Sequence, residues 1–160
     1  MNNAYVTLQD EQFQEWFSLR QLLLRAYCQL SRCLSSASTK PSQQNVESFC
    51  QLLIDYASFG HFCIYERLLN VLSLEGSSDS HVDTVFSELQ TTTEAMLQFN
   101  DIHETDEHFV EEIRFAKLLS RIGEVIAQRL DLEDDLVATA HIAPVLPVKA
   151  KPAKAVAFYA

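Results

Sequence analysis

The stretch from Ser48 to Leu72, SFCQLLIDYASFGHFCIYERLLNVL, constrains the fold of this chain most. It reads as one long helix with more apolar surface than a single core-facing stripe needs. At about 100° per residue, Phe49, Leu52, Leu53, Tyr56, Ala57, Gly60, Cys63, Ile64 and Leu68 fill one broad arc, the expected core face. Ile54, Phe62, Tyr65 and Leu69 fall on the other side, among Asp55, Ser58 and Glu66. A solvated helix face is rarely so apolar. Either the rest of the chain covers this helix on all sides, or its second face is reserved for a partner.

Three further helices are expected around it. Phe13, Trp16, Phe17, Leu23, Tyr27, Leu30 and Leu34 recur at three- and four-residue spacings, which predicts a first helix from near Leu8 to near Leu34. The connector Ser35–Gln44 carries Ser, Thr and Lys40-Pro41, which disfavour helix, and Ser42 is a candidate cap for the second helix. That helix is expected to end near Leu74. Gly60 inside it costs about 1 kcal/mol relative to Ala, so a neighbour packed against its backbone, or a kink, is expected there. EGSSDS, Glu75 to Ser80, leads into a third helix over His81–Phe99, with Asp79 or Ser80 as cap. Its stripe is Val82, Val85, Phe86, Leu89, Met96 and Leu97. Asn100–Glu107 reads as a break. A fourth helix then opens near Thr105–His108 and runs to about Ala140 through Phe109, Ile113, Ala116, Leu119, Ile122, Ile126, Leu130 and Leu136.

Long helices joined by short connectors suit an all-α, antiparallel up-and-down four-helix bundle over residues 1–143. Only three Gly and four Pro in 160 residues agree with that class. From Pro144 the composition turns to Pro, Ala and Lys with no helical stripe, so residues 144–160 are expected to form a disordered tail. No window approaches the roughly 18 uncharged apolar residues of a membrane span, and MNNAYVTLQDEQ has no basic start or apolar run of a secretory signal.

The net charge of −10 understates the acidity of the body. Setting aside Lys149, Lys151 and Lys154 in the tail leaves −13 for residues 1–148. Such a body repels nucleic acid, whose binding relies on Lys and Arg, and attracts a basic protein surface. Acidity also serves solubility alone. The four cysteines, Cys28, Cys33, Cys50 and Cys63, lack zinc-ligand spacing and read as reduced core thiols of a cytosolic protein.

Catalytic signals are missing from the sequence. It has no Gly-rich phosphate loop, no G-x-S-x-G and no H-E-x-x-H. A carboxylate–histidine metal site inside the bundle is the main alternative. His61 and Glu66, however, are about 140° apart on a helix, and Glu104, His108, His103, Asp106 and Glu107 read as a solvated helix start. No metal and no cofactor are expected. Trp16, Phe17 and Tyr27 are assigned to packing, with Trp16 near the surface beside the second helix.

Within the second helix, Asp55-Tyr56, Ser58, Gly60-His61-Phe62 and Ile64-Tyr65-Glu66-Arg67 form DYxSxGHFxIYER. This resembles the helix-two signature of the Rsd/AlgQ family of anti-sigma factors. Trp16, Arg20, Leu22, Leu23, Ala26 and Tyr27 resemble the family's first helix. Ile122-Gly123-Glu124, Arg129 and Leu132-Glu133-Asp134 resemble its last. The resemblance runs from about Trp16 to Leu136 and is weakest between Ser73 and His108.

The resemblance implies a non-enzymatic anti-sigma factor. Its bundle binds the C-terminal domain of the primary sigma factor, which reads the promoter −35 element, and competes with core RNA polymerase. An acidic body with exposed apolar residues can mask the basic helix-turn-helix surface of such a domain. Asp55, Ser58, Phe62 and Glu66 stand at i, i+3, i+7 and i+11, a single helical stripe. Phe62 would be the apolar anchor, Asp55 and Glu66 the charge, and Ser58 a small polar contact. Trp16 and Arg20 complete the expected partner set, with Arg20 paired to Asp55 or Glu66. A monomer without nucleic-acid or membrane binding is expected, with weak homodimerisation as the variant. The rival readings are a hemerythrin-like sensing bundle and a helical adaptor for another basic partner.

Overall fold

A computed structural model describes residues 10–36, 40–74, 80–110 and 113–140. Helix α1 spans Glu11–Ser35. Asp10 caps it, its side chain accepting from the Gln12 N–H at 3.0 Å. Helix α2 spans Gln43–Phe59 and is capped by Ser42, which accepts from the Asn45 N–H at 3.1 Å, as the sequence suggests. Helix α2 runs without a break into a π-helical stretch, Gly60–Tyr65, and then into α3, Glu66–Leu74. These three segments make one rod. Helices α4, Ser80–Thr105, and α5, Ile113–Thr139, are the other two long ones. The four rods form an antiparallel four-helix bundle in which α1 packs on α2, α2 on α4, and α4 on α5.

Helix α4 runs on to Thr105, through most of the break expected at Asn100–Glu107, and among the described residues Asp106–Val110 leads toward α5. The Phe99 side chain explains this. It is buried, and it meets Phe49 at 5.8 Å and Phe109 at 5.6 Å edge-to-face, so the last turns of α4 are held by the core. Phe115 extends the row beyond Phe109 at 5.1 Å and closes that end of the bundle. Of the expected caps of α4, Ser80 is the first helical residue, whereas Asp79, and the tail expected from Pro144, lie outside the described residues.

The core stripes keep a three–four spacing. In α4 it passes Val82, Val85, Leu89, Thr92, Met96 and Phe99. In α5 it passes Phe115, Leu119, Ile122, Ile126, Arg129, Glu133 and Leu136. Two charged residues therefore occupy core positions. The apolar reading of this helix placed Ile113, Ala116 and Leu130 on the stripe instead, but Ile113 and Ala116 are exposed and Leu130 is half-buried. Leu97 and Phe86 of α4 are likewise exposed and half-buried. Each fully buried Leu, Ile or Phe contributes about 1.5–3 kcal/mol of transfer free energy. The polar positions must be stabilised by pairing.

The π stretch corrects the reading of the second rod. Val46, Phe49, Leu53 and Tyr56 set the buried face of α2, and Leu68 and Leu72 set that of α3. On an unbroken α-helix those two faces would be about 90° out of register. The wider π turns remove about one residue's rotation and bring them into line. The same unwinding turns Tyr65 inward. It is buried, where uniform α periodicity puts it on the outer face. Gly60 opens the stretch, and a side chain there would be tight. A Cβ would lie 3.0 Å from the Tyr65 hydroxyl and 3.4 Å from Trp16 Nε1.

Candidate functional site

Glu133 lies at the centre of the bundle and is fully buried. Its Oε1 accepts from the Tyr65 hydroxyl and from Arg129 Nε at 3.0 Å. Its Oε2 accepts from the Tyr56 hydroxyl and from Arg20 Nη2 at 3.0 Å. A carboxylate offers about four acceptor sites, so this one is saturated. Burial, and then the Glu133 charge, push both phenols above their ordinary range and keep them protonated as donors.

Arg129 is buried as completely as its partner. Its Nη1 donates to Thr92 Oγ1 at 3.0 Å and Thr93 Oγ1 at 2.8 Å, and its Nη2 reaches the Ala57 carbonyl at 3.4 Å. Its guanidinium also lies 5.9 Å from the Tyr56 ring centre and 5.5 Å from that of Tyr65. Arg20 donates through Nε to the Tyr56 hydroxyl at 3.1 Å and through Nη1 to Asp134 at 2.7 Å, under Trp16 at 5.1 Å. Desolvating a lone ion costs several kcal/mol even after relaxation. Here two guanidiniums and two carboxylates offset one another, and every rod contributes a member.

This geometry corrects two expectations. Arg20 pairs with Glu133 and Asp134, not with Asp55 or Glu66, because it points into the bundle toward α5. Trp16 is fully buried rather than near the surface, stacked 6.3 Å from Tyr56 and edge-on to Phe13 at 6.0 Å. Tyr56, Tyr65, Arg129, Glu133, Thr92 and Thr93 were not singled out as site residues by the sequence. The signals that could have found them are the quoted motifs, which hold Tyr56, Tyr65, Arg129 and Glu133, and the three–four stripe of α5, which lands on Arg129 and Glu133 when carried past Ile126.

The surface outside this network is different. Phe62 is 75 % exposed, the highest value for any aromatic among the described residues. The exposed His61 ring meets it edge-on at 5.1 Å. Glu66 is exposed, Ser58 and Asp55 are half-buried, and Leu69 is 39 % exposed one turn further on. Gln51 donates to Asp55 at 2.8 Å. The π turns shift Glu66 by about 100°, and Phe62 by part of that, from the straight stripe that begins at Asp55.

Below, Arg67 fastens α3 to the start of α1. It holds Asp10 through both carboxylate oxygens, at 2.9 and 2.7 Å, and Gln12 at 2.7 Å. The Asp10 carboxyl is held down to about 2 by the Arg67 hydrogen bonds and the Gln12 N–H.

The cysteines do not form a common core set. All four are free; Cys50 is buried, Cys33 and Cys63 are half-buried and Cys28 is exposed. Burial, with Glu104 and Glu47 nearby, pushes the Cys50 thiol up to about 12. Among the described residues, no three His, Cys, Asp or Glu side chains gather as a metal site would require. Glu104 and His108 are both exposed, and Glu104 accepts from Asn100 at 2.9 Å. No helix among the described residues is long and apolar enough to cross a membrane.

The all-α bundle thus holds one buried ionic network inside and an exposed aromatic on one flank. The chain belongs to the Rsd/AlgQ family, described as regulators of the RNA polymerase sigma(70) subunit, whose model matches residues 3–141. It is accordingly a protein of transcription regulation and not an enzyme. It is 33% identical over 126 residues to the regulator of sigma D of Shigella boydii serotype 4, covering 76% of this chain and 78% of that one. The regulator of sigma D of Salmonella paratyphi A is 33% identical over 126 residues, covering 76% of each chain. That of Yersinia enterocolitica is 32% identical over 136 residues, covering 80% of this chain and 79% of its own.

Proposed function

We propose that this protein is an anti-sigma factor that binds the C-terminal domain of the primary sigma factor. It thereby limits that factor's association with core RNA polymerase and with the promoter −35 element. The observation that carries this reading is Phe62, 75 % exposed in the centre of the segment that bears the helix-two motif. An exposed aromatic on an acidic bundle is complementary to a basic helix-turn-helix surface. Phe62 is the anchor, Asp55 and Glu66 supply the charge, and Ser58 leaves room for close approach. Arg20 and Trp16 support this surface from beneath and do not touch the partner. The protein acts as a monomer in the cytoplasm, where the polymerase works, and needs neither DNA nor a cofactor.

Calorimetric titration with the isolated sigma domain tests the reading. Heat of binding and co-migration on gel filtration, in the absence of DNA, are expected. No heat and no co-migration at tens of micromolar defeat it.

A further inference from the structure

Tyr56 and Tyr65 donate to the two oxygens of one buried carboxylate, yet they are nine positions apart on one rod. On an α-helix nine residues rotate by about 900°, which leaves the two rings on opposite faces. Only the π turns between Gly60 and Tyr65 let both phenols reach Glu133. A π stretch replaces the i→i+4 ladder of the α-helix with i→i+5 bonds, an arrangement helices rarely keep without an external reason. Here that reason is visible. The Tyr65 hydroxyl is anchored to a carboxylate on α5, and α5 is fixed in turn by Arg129 to α4 and to the Ala57 carbonyl. Phe62 stands inside the same six residues.

We propose that Tyr65, held by Glu133, is a positioning residue that sets the rotation at which Phe62 is presented outside the bundle. The internal network thus fixes the external surface. Removing the Tyr65 hydroxyl frees Gly60–Tyr65 to exchange between π and α winding, and α winding carries Phe62 around the rod. The partner role of Phe62 rests on the function proposed above. The hold of Tyr65 on the winding does not.

The test uses Tyr65→Phe, which keeps the ring and its edge contacts to Trp16 at 6.4 Å and Phe86 at 6.1 Å. Tyr56→Phe is the matched control; it removes the other phenol from the same carboxylate but lies outside the π stretch. Amide hydrogen exchange across residues 46–72 and affinity for the sigma domain are measured for both, with Phe62→Ala alongside. Tyr65→Phe is expected to speed exchange in 60–65 about tenfold over its effect on 46–56, and to weaken binding several-fold. Tyr56→Phe is expected to leave the relative protection of 60–65 unchanged. Wild-type exchange in 60–65 for Tyr65→Phe, or equal loosening by Tyr56→Phe, overturns the proposal. If Phe62→Ala binds normally, the partner surface is wrong, and the exchange pattern alone decides the hold of Tyr65 on the winding.

Discussion

Tyr27 of α1 lies directly over Gly123 of α5: a Cβ on Gly123 would stand 2.0 Å from the Tyr27 hydroxyl oxygen and 2.5 Å from Cζ. Real Cβ atoms do not approach so closely, so only a glycine at 123 leaves room for the Tyr27 ring where it lies. Gly123→Ala is expected to destabilise by about 1–3 kcal/mol through overpacking. In a Tyr27→Ala background the same change should stabilise by up to about 1 kcal/mol, because the intrinsic preference of Ala for helix then acts alone. Urea denaturation of the four proteins in a double-mutant cycle reads the change of sign.

Glu133 and Asp134 are neighbours with opposite expected costs. Glu133 is enclosed with both guanidiniums, whereas the Asp134 side chain is 63% exposed. Glu133→Ala leaves Arg129 buried without its counter-charge and should cost about 3–5 kcal/mol. Asp134→Ala removes a surface pair and should cost less than about 1 kcal/mol. Denaturation midpoints separate the two, and equal costs would mean that the network is not what stabilises the centre.

Acid should release the Asp10–Arg67 clasp. The Asp10 carboxyl is lowered from 3.8 to about 2 in the folded protein, by Arg67 first and the Gln12 N–H second. A lowered folded value favours the native state fully above the ordinary carboxyl range, and that advantage is lost as pH falls through the folded value. The stability gap between wild type and Asp10→Asn is therefore expected to be constant near neutrality and to close between pH 3.8 and about 2. Chemical denaturation at several pH values measures it.

Phe62→Ala should separate binding from folding. At 75 % exposure the ring contributes little to the core, so the denaturation midpoint should stay within about 0.5 kcal/mol of wild type. Affinity for the sigma domain should fall by at least ~2 kcal/mol, the usual cost of truncating a central anchor. The association rate should also drop as salt rises from 0.1 to 1 M, where the Debye length shrinks from about 10 to about 3 Å. A salt-independent rate would remove the carboxylates from the encounter.

The bundle, its four rods and the Ser42 cap were legible from spacing and capping chemistry alone. The exposure of Phe62 was legible for a related reason: it lies far from the apolar arc under either winding. The inward turn of Tyr65 was not, because periodicity assumes a constant twist and the π turns violate it within six residues. The end of α4 was misjudged because Asn100–Glu107 is locally polar while Phe99 is held by Phe49 and Phe109, contacts that no local pattern contains. Arg129 and Glu133 were hidden by the premise that a core stripe is apolar. The motif residues that carry the family resemblance, Arg20, Tyr56, Tyr65, Arg129 and Glu133, turn out to be those that meet at the centre.

The central carboxylate also has a place in time. Arg20, Tyr56 and Tyr65 precede Glu133 by 113, 77 and 68 residues, and a ribosome makes them in that order. Until α5 emerges, three polar side chains already committed to the interior share no acceptor, and the first three rods cannot close over them without leaving donors unsatisfied. Only a chain that has reached α5 carries the group that closes the bundle. Fragments that stop before α5 are therefore expected to lack this closure and to be cut by proteases faster than the bundle.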